Sequence, residues 1–519
     1  MPEQTRIRSV LHVAREYSGF GEAGGVKDAV SGLAGALVRM GVRTTVALPL
    51  YGFLKARLSL GRAVAVFTIP IPDHDHKNRV RDERVRVLSL ERDGVRFLLV
   101  ESRRFSDKND VYTYTDVDET ANSYKKKGTG HWDSHQMNVI LQKAALETAL
   151  RTGDIPDIFH CHDGHAAFLP ALMREDRRIS EAFARTGAVV TIHNAGVGYH
   201  QEIWDPAFAA LLTGLSPGVL SRGLLNATVD PLLLAGFYAR MTTVSEQYAD
   251  ELLREKDAEV SGGLGRSFGE RGIKVTGITN GVDPAPFDPR YPAASGLAFR
   301  FDPSTGELDG KKQCKQALLE ELSFARASGE RPLIGFIGRL TKQKGIDVLE
   351  EAVASALGKG RAADFIVLGQ GESKDEELFR ALSSRKFSQG ALCFISRYDP
   401  GFAKRLYAAS DFLLIPSKYE PCGLTDFHAQ LMGSIPVVHA VGGLRKVRDA
   451  QTGLSYEEQS PAALEAAIGR CLSLYTGEQE ALSKIRKTAF DEIFQKHTWD
   501  TVAREGYLPL YEAAAGSEP

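Results

Sequence analysis

Short apolar runs of strand type alternate with helix-periodic segments along almost the whole chain, and this alternation limits the fold more than any other feature. The pattern starts at Val10 with Leu11-His12-Val13-Ala14. From Lys27 to Met40, Val30, Leu33, Leu37 and Val38 recur at helical spacing, and a β-type run from Thr44 to Leu48 closes a β-α-β unit. Further apolar runs bounded by turn residues cover 97–100, 158–161 and 188–192, with helical periodicity over 137–150 and 166–173. Runs that are apolar throughout indicate strands buried on both faces, hence a parallel sheet covered by helices on each side.

From Asn280-Gly281-Val282-Asp283 through Pro284, Pro286, Pro289, Pro292 and Gly296 to Gly310 the periodicity is interrupted, which predicts a linker. A second series follows, with strand patterns at 333–337, 365–368, 391–395, 412–415 and 436–438 and helical segments such as 346–356 and 402–409. With 519 residues the chain exceeds the roughly 250–300 at which single cores stop growing, so two large domains are expected. The predicted organisation is an N-terminal doubly wound domain (1–280), a linker (281–310), a second doubly wound domain (311–495), and a C-terminal helix and tail (496–519), with 513–519 frayed. Two such domains form a cleft at the carboxyl ends of their strands, where ligands of this architecture bind.

Composition excludes several functions. Sixty-four Lys+Arg against sixty-six Asp+Glu leave a net charge of −2, without the basic field that nucleic acid requires. The first ten residues lack an apolar signal region, and no apolar run approaches the roughly 18 residues of a spanning helix. Cys161, Cys314, Cys393, Cys422 and Cys471 are scattered and odd in number, so neither a disulfide framework nor a zinc knuckle is expected; all but Cys422 read as free thiols in a reducing, cytoplasmic setting, with no membrane partner.

Several turns after strands carry candidate chemistry. Phe20-Gly21-Glu22-Ala23-Gly24-Gly25-Val26 precedes the first helix, where adjacent glycines let N–H groups approach an anion; a tight turn without ligand explains the pair equally well. In Gly338-Arg339-Leu340-Thr341-Lys342-Gln343-Lys344-Gly345, Arg339 and Lys344 are suited to clamp a pyrophosphate, although taken alone they also read as a solvated basic turn. Glu420, in Ser417-Lys418-Tyr419-Glu420-Pro421-Cys422-Gly423-Leu424-Thr425, is placed to accept hydrogen bonds from sugar hydroxyls or to orient the basic pair, or merely to cap a helix. Gly442-Gly443 repeats the cradle pattern. His160-Cys161-His162-Asp163-Gly164-His165 has no second cluster to complete a zinc site, so no metal is expected. Asp73-His74-Asp75-His76 and Asp116-Val117-Asp118 read as solvated loops, and Gly369-Gln370-Gly371 is an incomplete dinucleotide fingerprint, so no cofactor is expected.

In order and spacing these segments resemble the bacterial glycogen synthase and plant starch synthase family, glycosyltransferase family 5. The resemblance runs through AREYSGFGEAGGVKDAVSGLAGAL, HCHDGHAAFLPAL, TIHN, TTVS, NGVD, GRLTKQKG, EPCGLT and VVHAVGGL. It implies two Rossmann-like domains of the GT-B type and metal-free transfer of glucose from a nucleotide sugar, ADP-glucose favoured, to the non-reducing end of an α-1,4-glucan with retention of configuration. Carried over by position, Arg339 and Lys344 would stabilise the departing diphosphate, Glu420 would hold the glucosyl ring, His165 would bond a sugar hydroxyl, and Asp133 would lie near the anomeric centre. Gly24, Gly25, Cys422, Gly423, Leu424, Thr425, Gly442 and Gly443 would line the sugar and phosphates, Asn280 the site floor and Asp28 the nucleoside side, and Tyr398 would stack on the base. Domain closure around the donor is expected.

The chain departs from the family at Glu22, which stands where the family has lysine, at Gly164 for tryptophan, at Leu234 for a common lysine, and at Val441 for threonine. Segment 112–133 also differs and is read as an acceptor loop, with Lys125–Lys127 a solvated face. These departures bear on donor choice and activity, and leave two alternatives: a related GT-B transferase using UDP-glucose or another acceptor, and a non-catalytic glucan-binding protein.

Overall fold

The strands of this protein, given by a computed structural model, run β1 (Ser9–Val13), β2 (Arg43–Pro49), β3 (Arg62–Pro72), β4 (Val80–Arg92), β5 (Val95–Glu101), β6 (Ile158–His162), β7 (Gly187–Ile192), β8 (Leu224–Leu225), β9 (Thr228–Val229), β10 (Arg240–Thr243), β11 (Val275–Gly277), β12 (Leu333–Ile337), β13 (Asp364–Leu368), β14 (Leu392–Ile395), β15 (Phe412–Ile415), β16 (Ile435–His439) and β17 (Leu454–Tyr456). The structure describes residues 6–516 except 56, 59–60, 74–78, 255–259, 325–329, 386–387 and 389. The chain forms two compact units, one of Met1–Gly281 with Trp499–Pro519 and one of Val282–Thr498.

The first unit holds a nine-stranded sheet in the order β11-β10-β7-β6-β1-β2-β5-β4-β3. From β11 to β5 neighbouring strands are parallel, and β4 and β3 add an antiparallel edge. The chain leaves β1 toward β2 and later returns to its other side as β6, so a topological switch point lies between β1 and β6, where such sheets leave a crevice at the strand ends. Helix Val26–Arg39 forms as its periodicity predicts and buries Val30, Leu33 and Leu37. Burying a side chain of that size contributes about 1.5–3 kcal/mol. The same face receives Trp499, Val502, Tyr507 and Tyr511 from the end of the chain. Gly32 is required there, because an added Cβ would lie 2.0 Å from Trp499 Nε1.

The second unit is a six-stranded sheet, β14-β13-β12-β15-β16-β17, parallel throughout. This is the 3-2-1-4-5-6 order of a doubly wound sheet, with its switch point between β12 and β15. Ile334, Phe336, Phe365, Val367, Phe412 and Leu414 pack one face against Leu349, Val353 and Ala356 of helix Ile346–Gly358.

The fold is the expected α/β class with two Rossmann-like sheets, but the segment limits differ from expectation. From Val282 onward the proline-rich stretch is part of the second unit. Leu297 and Phe301 are buried with Tyr407, Leu413 and Leu444, and Val282 with Phe427 and Phe490. Prolines erase periodicity there without removing the apolar side chains that pack. The chain end is also ordered: helix Leu508–Ala515 takes in part of the segment expected to fray, Tyr511 is fully buried, and only 517–519 lie outside the described residues. The β3–β4 hairpin has no counterpart in the sequence reading, although in β4 buried Val85 and Val87 alternate with exposed Arg84 and Arg86.

Candidate active site

In the second unit the turns after β12 and β15 converge at the switch point. Gly345 adopts φ +68°, and an added Cβ would lie 1.9 Å from the Pro416 carbonyl oxygen, so glycine lets the two turns touch. The contact brings Lys344 Nζ to 2.5 Å from Glu420 Oε2, which also accepts a bond from Ser417 Oγ (3.1 Å). Gln343 ties the turns further: its carbonyl accepts from Lys418 N–H (2.9 Å) and its side chain donates to the Tyr419 carbonyl (3.2 Å). The Arg339 guanidinium is exposed and has no hydrogen bond or ion pair among the described residues. A fixed cation, a fixed carboxylate and a free guanidinium at one strand-end crevice suit an anionic ligand that also carries hydroxyls.

The Gly442-Gly443 turn after β16 closes on the same place. Gly443 N–H donates to the Glu420 carbonyl (2.9 Å), and a Cβ on Gly443 would lie 2.3 Å from the Cys422 carbonyl oxygen. Cys422 is buried, Gly423 and Gly442 have φ of +79° and +47°, and Thr425 opens helix Thr425–Leu431. Gly369 and Gly371 serve packing: their Cβ atoms would lie 2.1 Å from the Gly338 carbonyl and 2.4 Å from the Leu340 carbonyl. Tyr398, past edge strand β14, is 83% exposed.

In the first unit the glycine turn after β1 and the histidine turn after β6 flank the other switch point. Glu22 turns back on its own loop and accepts Gly19 N–H at 2.5 Å. Buried Glu16 accepts the N–H groups of Ala23 (2.8 Å) and Gly24 (2.5 Å), and Tyr112 donates its hydroxyl to the same carboxylate (2.7 Å). A Cβ on Gly25 would meet nothing within 4 Å, so the surface over that residue is open. Asp28 faces outward and pairs with neighbouring Lys27 (2.8 Å).

The Tyr112 ring stacks on His165, with centroids 5.0 Å apart. Burial, with the Arg15 and His135 charges adding to it, pushes the His165 pKa well below its usual value, so the ring is neutral at pH 7. Gly164 is obligatory, because a Cβ would lie 1.9 Å from the His200 carbonyl oxygen; the family tryptophan has no room here. Leu234, where the family often has lysine, is fully buried. Asp133 precedes helix Ser134–Thr152 and is buried between Lys108 (2.9 Å) and Arg104 (3.4 Å). Asn280 is buried, its N–H donating to the Val244 carbonyl (3.3 Å).

The remaining sequence candidates have structural uses. Asp118 forms a capping box with Thr115, and Asp116 pairs with Lys127 (2.8 Å). Lys126 pairs with Glu119. Asp73 pairs with Arg81 (2.9 Å), while 74–76 lie outside the described residues. The histidine turn gains a member that motif spacing did not reveal: the parallel register sets His12 beside His160, and ring nitrogens of His12, His160 and His162 lie within 4.8 Å of one another. His160 uses both nitrogens on Tyr511 (2.8 Å) and Thr191 (2.6 Å), and His162 uses both on His12 (3.1 Å) and His193 (3.0 Å). A metal would have to break those bonds. Glu16 and Tyr112 were likewise missed, since neither lies at a spacing that marks it.

Residues 9–274 match the family model for the starch synthase catalytic domain, and 331–473 match that for group 1 glycosyl transferases. The chain is 30% identical to a glycogen synthase of Streptococcus gordonii over 97% of its own length and 99% of the relative's. It is 31% identical to one of Exiguobacterium sibiricum, covering 98% and 99%. Among solved structures it superposes on the catalytic domain of starch synthase IV from Arabidopsis thaliana, bound to ADP and acarbose, with a TM-score of 0.78 and 25% identity over 98% and 99% of the two chains. A sucrose-phosphate synthase from Thermosynechococcus elongatus shares the fold, with a TM-score of 0.56 at 15% identity over 98% and 100% of the two chains.

Proposed function

This chain belongs to the glycogen synthase and starch synthase family of glycosyltransferases, and from that premise we propose that it moves glucose from ADP-glucose to the non-reducing end of an α-1,4-glucan with retention of configuration. The observation that carries the proposal is the Lys344–Glu420 pair held at the β12/β15 switch point, with the uncommitted Arg339 on the same turn as Lys344. The bound ADP of the Arabidopsis relative supports the adenine nucleotide, and its acarbose supports a glucan acceptor.

In this reading the second unit holds the donor. Arg339 and Lys344 take up the charge that appears on the diphosphate as the bond from glucosyl C1 to the phosphate oxygen breaks. Glu420, oriented by Lys344 and Ser417, accepts hydrogen bonds from glucosyl hydroxyls. Cys422, Gly423, Leu424, Thr425, Gly442 and Gly443 line the sugar and phosphates, and the exposed Tyr398 ring offers a face to the base. The acceptor 4-hydroxyl forms the new bond to C1 on the face the diphosphate leaves, and its proton passes to the departing phosphate oxygen.

The first unit supplies the acceptor side. Neutral His165 can bond a sugar hydroxyl without repelling the positive charge that develops on the ring. Asp133, held by Lys108 and Arg104, is the carboxylate this reading assigns near C1, and Asn280 forms the floor. Gly24, Gly25 and Asp28 contribute to the donor's diphosphate and nucleoside side. Glu22, turned onto Gly19, keeps its charge within its own loop, which supports activity despite the lost lysine. No helix among the described residues is long and apolar enough to cross a membrane, and with five free thiols this supports a cytoplasmic place of work.

Incorporation of labelled glucose into glycogen tests the reading, comparing ADP-glucose with UDP-glucose for the wild type and Lys344→Ala. Turnover with ADP-glucose that collapses in the variant is expected. Turnover with UDP-glucose alone would move the donor, and glucan binding without turnover from either donor would make the chain a binding protein.

A further inference from the structure

One buried ammonium joins the two glycine turns of the second unit. Lys446 lies at the end of the turn Gly442–Lys446 with its side chain only 8% exposed. Its Nζ donates to the carbonyls of Cys422 (2.5 Å), Gly423 (2.9 Å) and Gly443 (3.1 Å), pairs with the fully buried Asp426 (3.0 Å), and sits 4.6 Å from the centre of the Phe427 ring. An ion pair alone would need only Asp426. The three carbonyls show that the charge also organises backbone from both turns.

The consequence follows from peptide geometry. The described residues contain no cis peptide bond. Across a trans peptide the carbonyl and the next residue's N–H point in opposite directions. Drawing the Cys422 and Gly423 carbonyls onto Lys446 therefore turns the N–H groups of Gly423 and Leu424 away from it. Neither of those N–H groups has an acceptor among the described residues. Gly423 is buried at φ +79°, a conformation that allows the two successive carbonyls to face the same cation. Two donors that no protein acceptor claims are open to a ligand oxygen.

We propose that Lys446 is a positioning residue of the donor site: it touches no substrate, but by holding the Cys422 and Gly423 carbonyls it aims the Gly423 and Leu424 N–H groups at anionic oxygens of the nucleoside diphosphate sugar. This rests on the donor reading above. Asp426 balances the buried charge, and the carbonyls do the aiming.

The test uses the full chain. Hydrogen–deuterium exchange with and without saturating ADP is expected to show slowed exchange in a peptide spanning 422–425 as well as in 338–345. Protection of 338–345 without 422–425 overturns the proposal. Protection of neither, with an inactive enzyme, overturns the donor reading itself. In kinetics, Lys446→Met is expected to raise the KM for ADP-glucose and weaken ADP binding by about tenfold or more, the loss of a hydrogen bond to a charged group. Adding Asp426→Asn removes the unpaired carboxylate and should restore the melting temperature but not the donor KM, whereas Lys446→Arg should recover part of the ADP affinity. A double variant with wild-type melting temperature and wild-type donor KM would show that Lys446 only neutralises Asp426.

Discussion

Gly25→Ala separates what the fold needs from what a ligand needs. Gly25 caps helix Val26–Arg39 at φ −74° and ψ −11°, angles any residue adopts. An added Cβ would meet no atom within 4 Å. Neither strain nor packing therefore calls for glycine, and restricting the unfolded chain should make the variant more stable by about 0.4–1 kcal/mol. A donor oxygen approaching that backbone would meet the new methyl group. Losing one charge-assisted hydrogen bond costs about 1.5–3 kcal/mol, which is a fall in kcat/KM of roughly 10- to 150-fold. Urea unfolding and glucose incorporation from ADP-glucose, measured on the same preparation, read the two quantities separately. An alanine variant as active as the wild type would refute the idea that the turn receives the donor. One destabilised by more than about 1 kcal/mol would refute the geometry from which the argument starts.

Gly345→Ala should do the reverse: its Cβ would lie 1.9 Å from the Pro416 carbonyl, so the β12 and β15 turns must separate, and a displacement of about 1 Å costs on the order of 100-fold in rate. Stability and kcat should fall together, and retention of both would show that the turns need not touch. Acid should destabilise the protein well before carboxylates protonate. Burial alone lowers the pKa of His12 to about 3 and that of His193 to about 4, and burial with neighbouring charges lowers those of His131 and His497 to about 4, against 6.5 unfolded. The unfolded chain therefore binds more protons below about pH 6.5, and each such histidine removes stability at up to about 1.4 kcal/mol per pH unit as pH falls. Asp163, raised to about 7 by burial, opposes this, as do Asp426, also raised by burial, and His200, which despite burial is raised by its pairing with Asp230. A melting temperature that stays flat from pH 7 to 5 would contradict the sign. Deleting residues 508–519 uncovers the pocket filled by Tyr511 and should cost at least about 3 kcal/mol, the price of losing a large buried aromatic, measurable as a lowered urea midpoint; unchanged stability would mean the end of the chain is dispensable.

The sequence by itself determined the central strands and several helices of a parallel α/β protein, because burial on both faces leaves unbroken apolar runs such as Leu333–Ile337 and Phe412–Ile415, and helical burial leaves a periodic stripe such as Val30, Leu33 and Leu37. It also marked the turns at strand ends, because glycine and charged residues concentrate where backbone must meet a ligand or another turn. Periodicity reports how deeply a residue is buried, but carries no information about which distant residue buries it. Strand order decided that the turns after β12 and β15 adjoin, so Lys344 meets Glu420 across 76 residues of chain. Parallel register, not motif spacing, put His12 beside His160. Tertiary packing placed Glu16 on the Gly24 turn, folded the proline-rich stretch into the second unit and returned Trp499 to the first. Each of these depends on contacts between segments far apart in sequence, whose closure is driven by the total apolar area buried and not by the residues on either side of them.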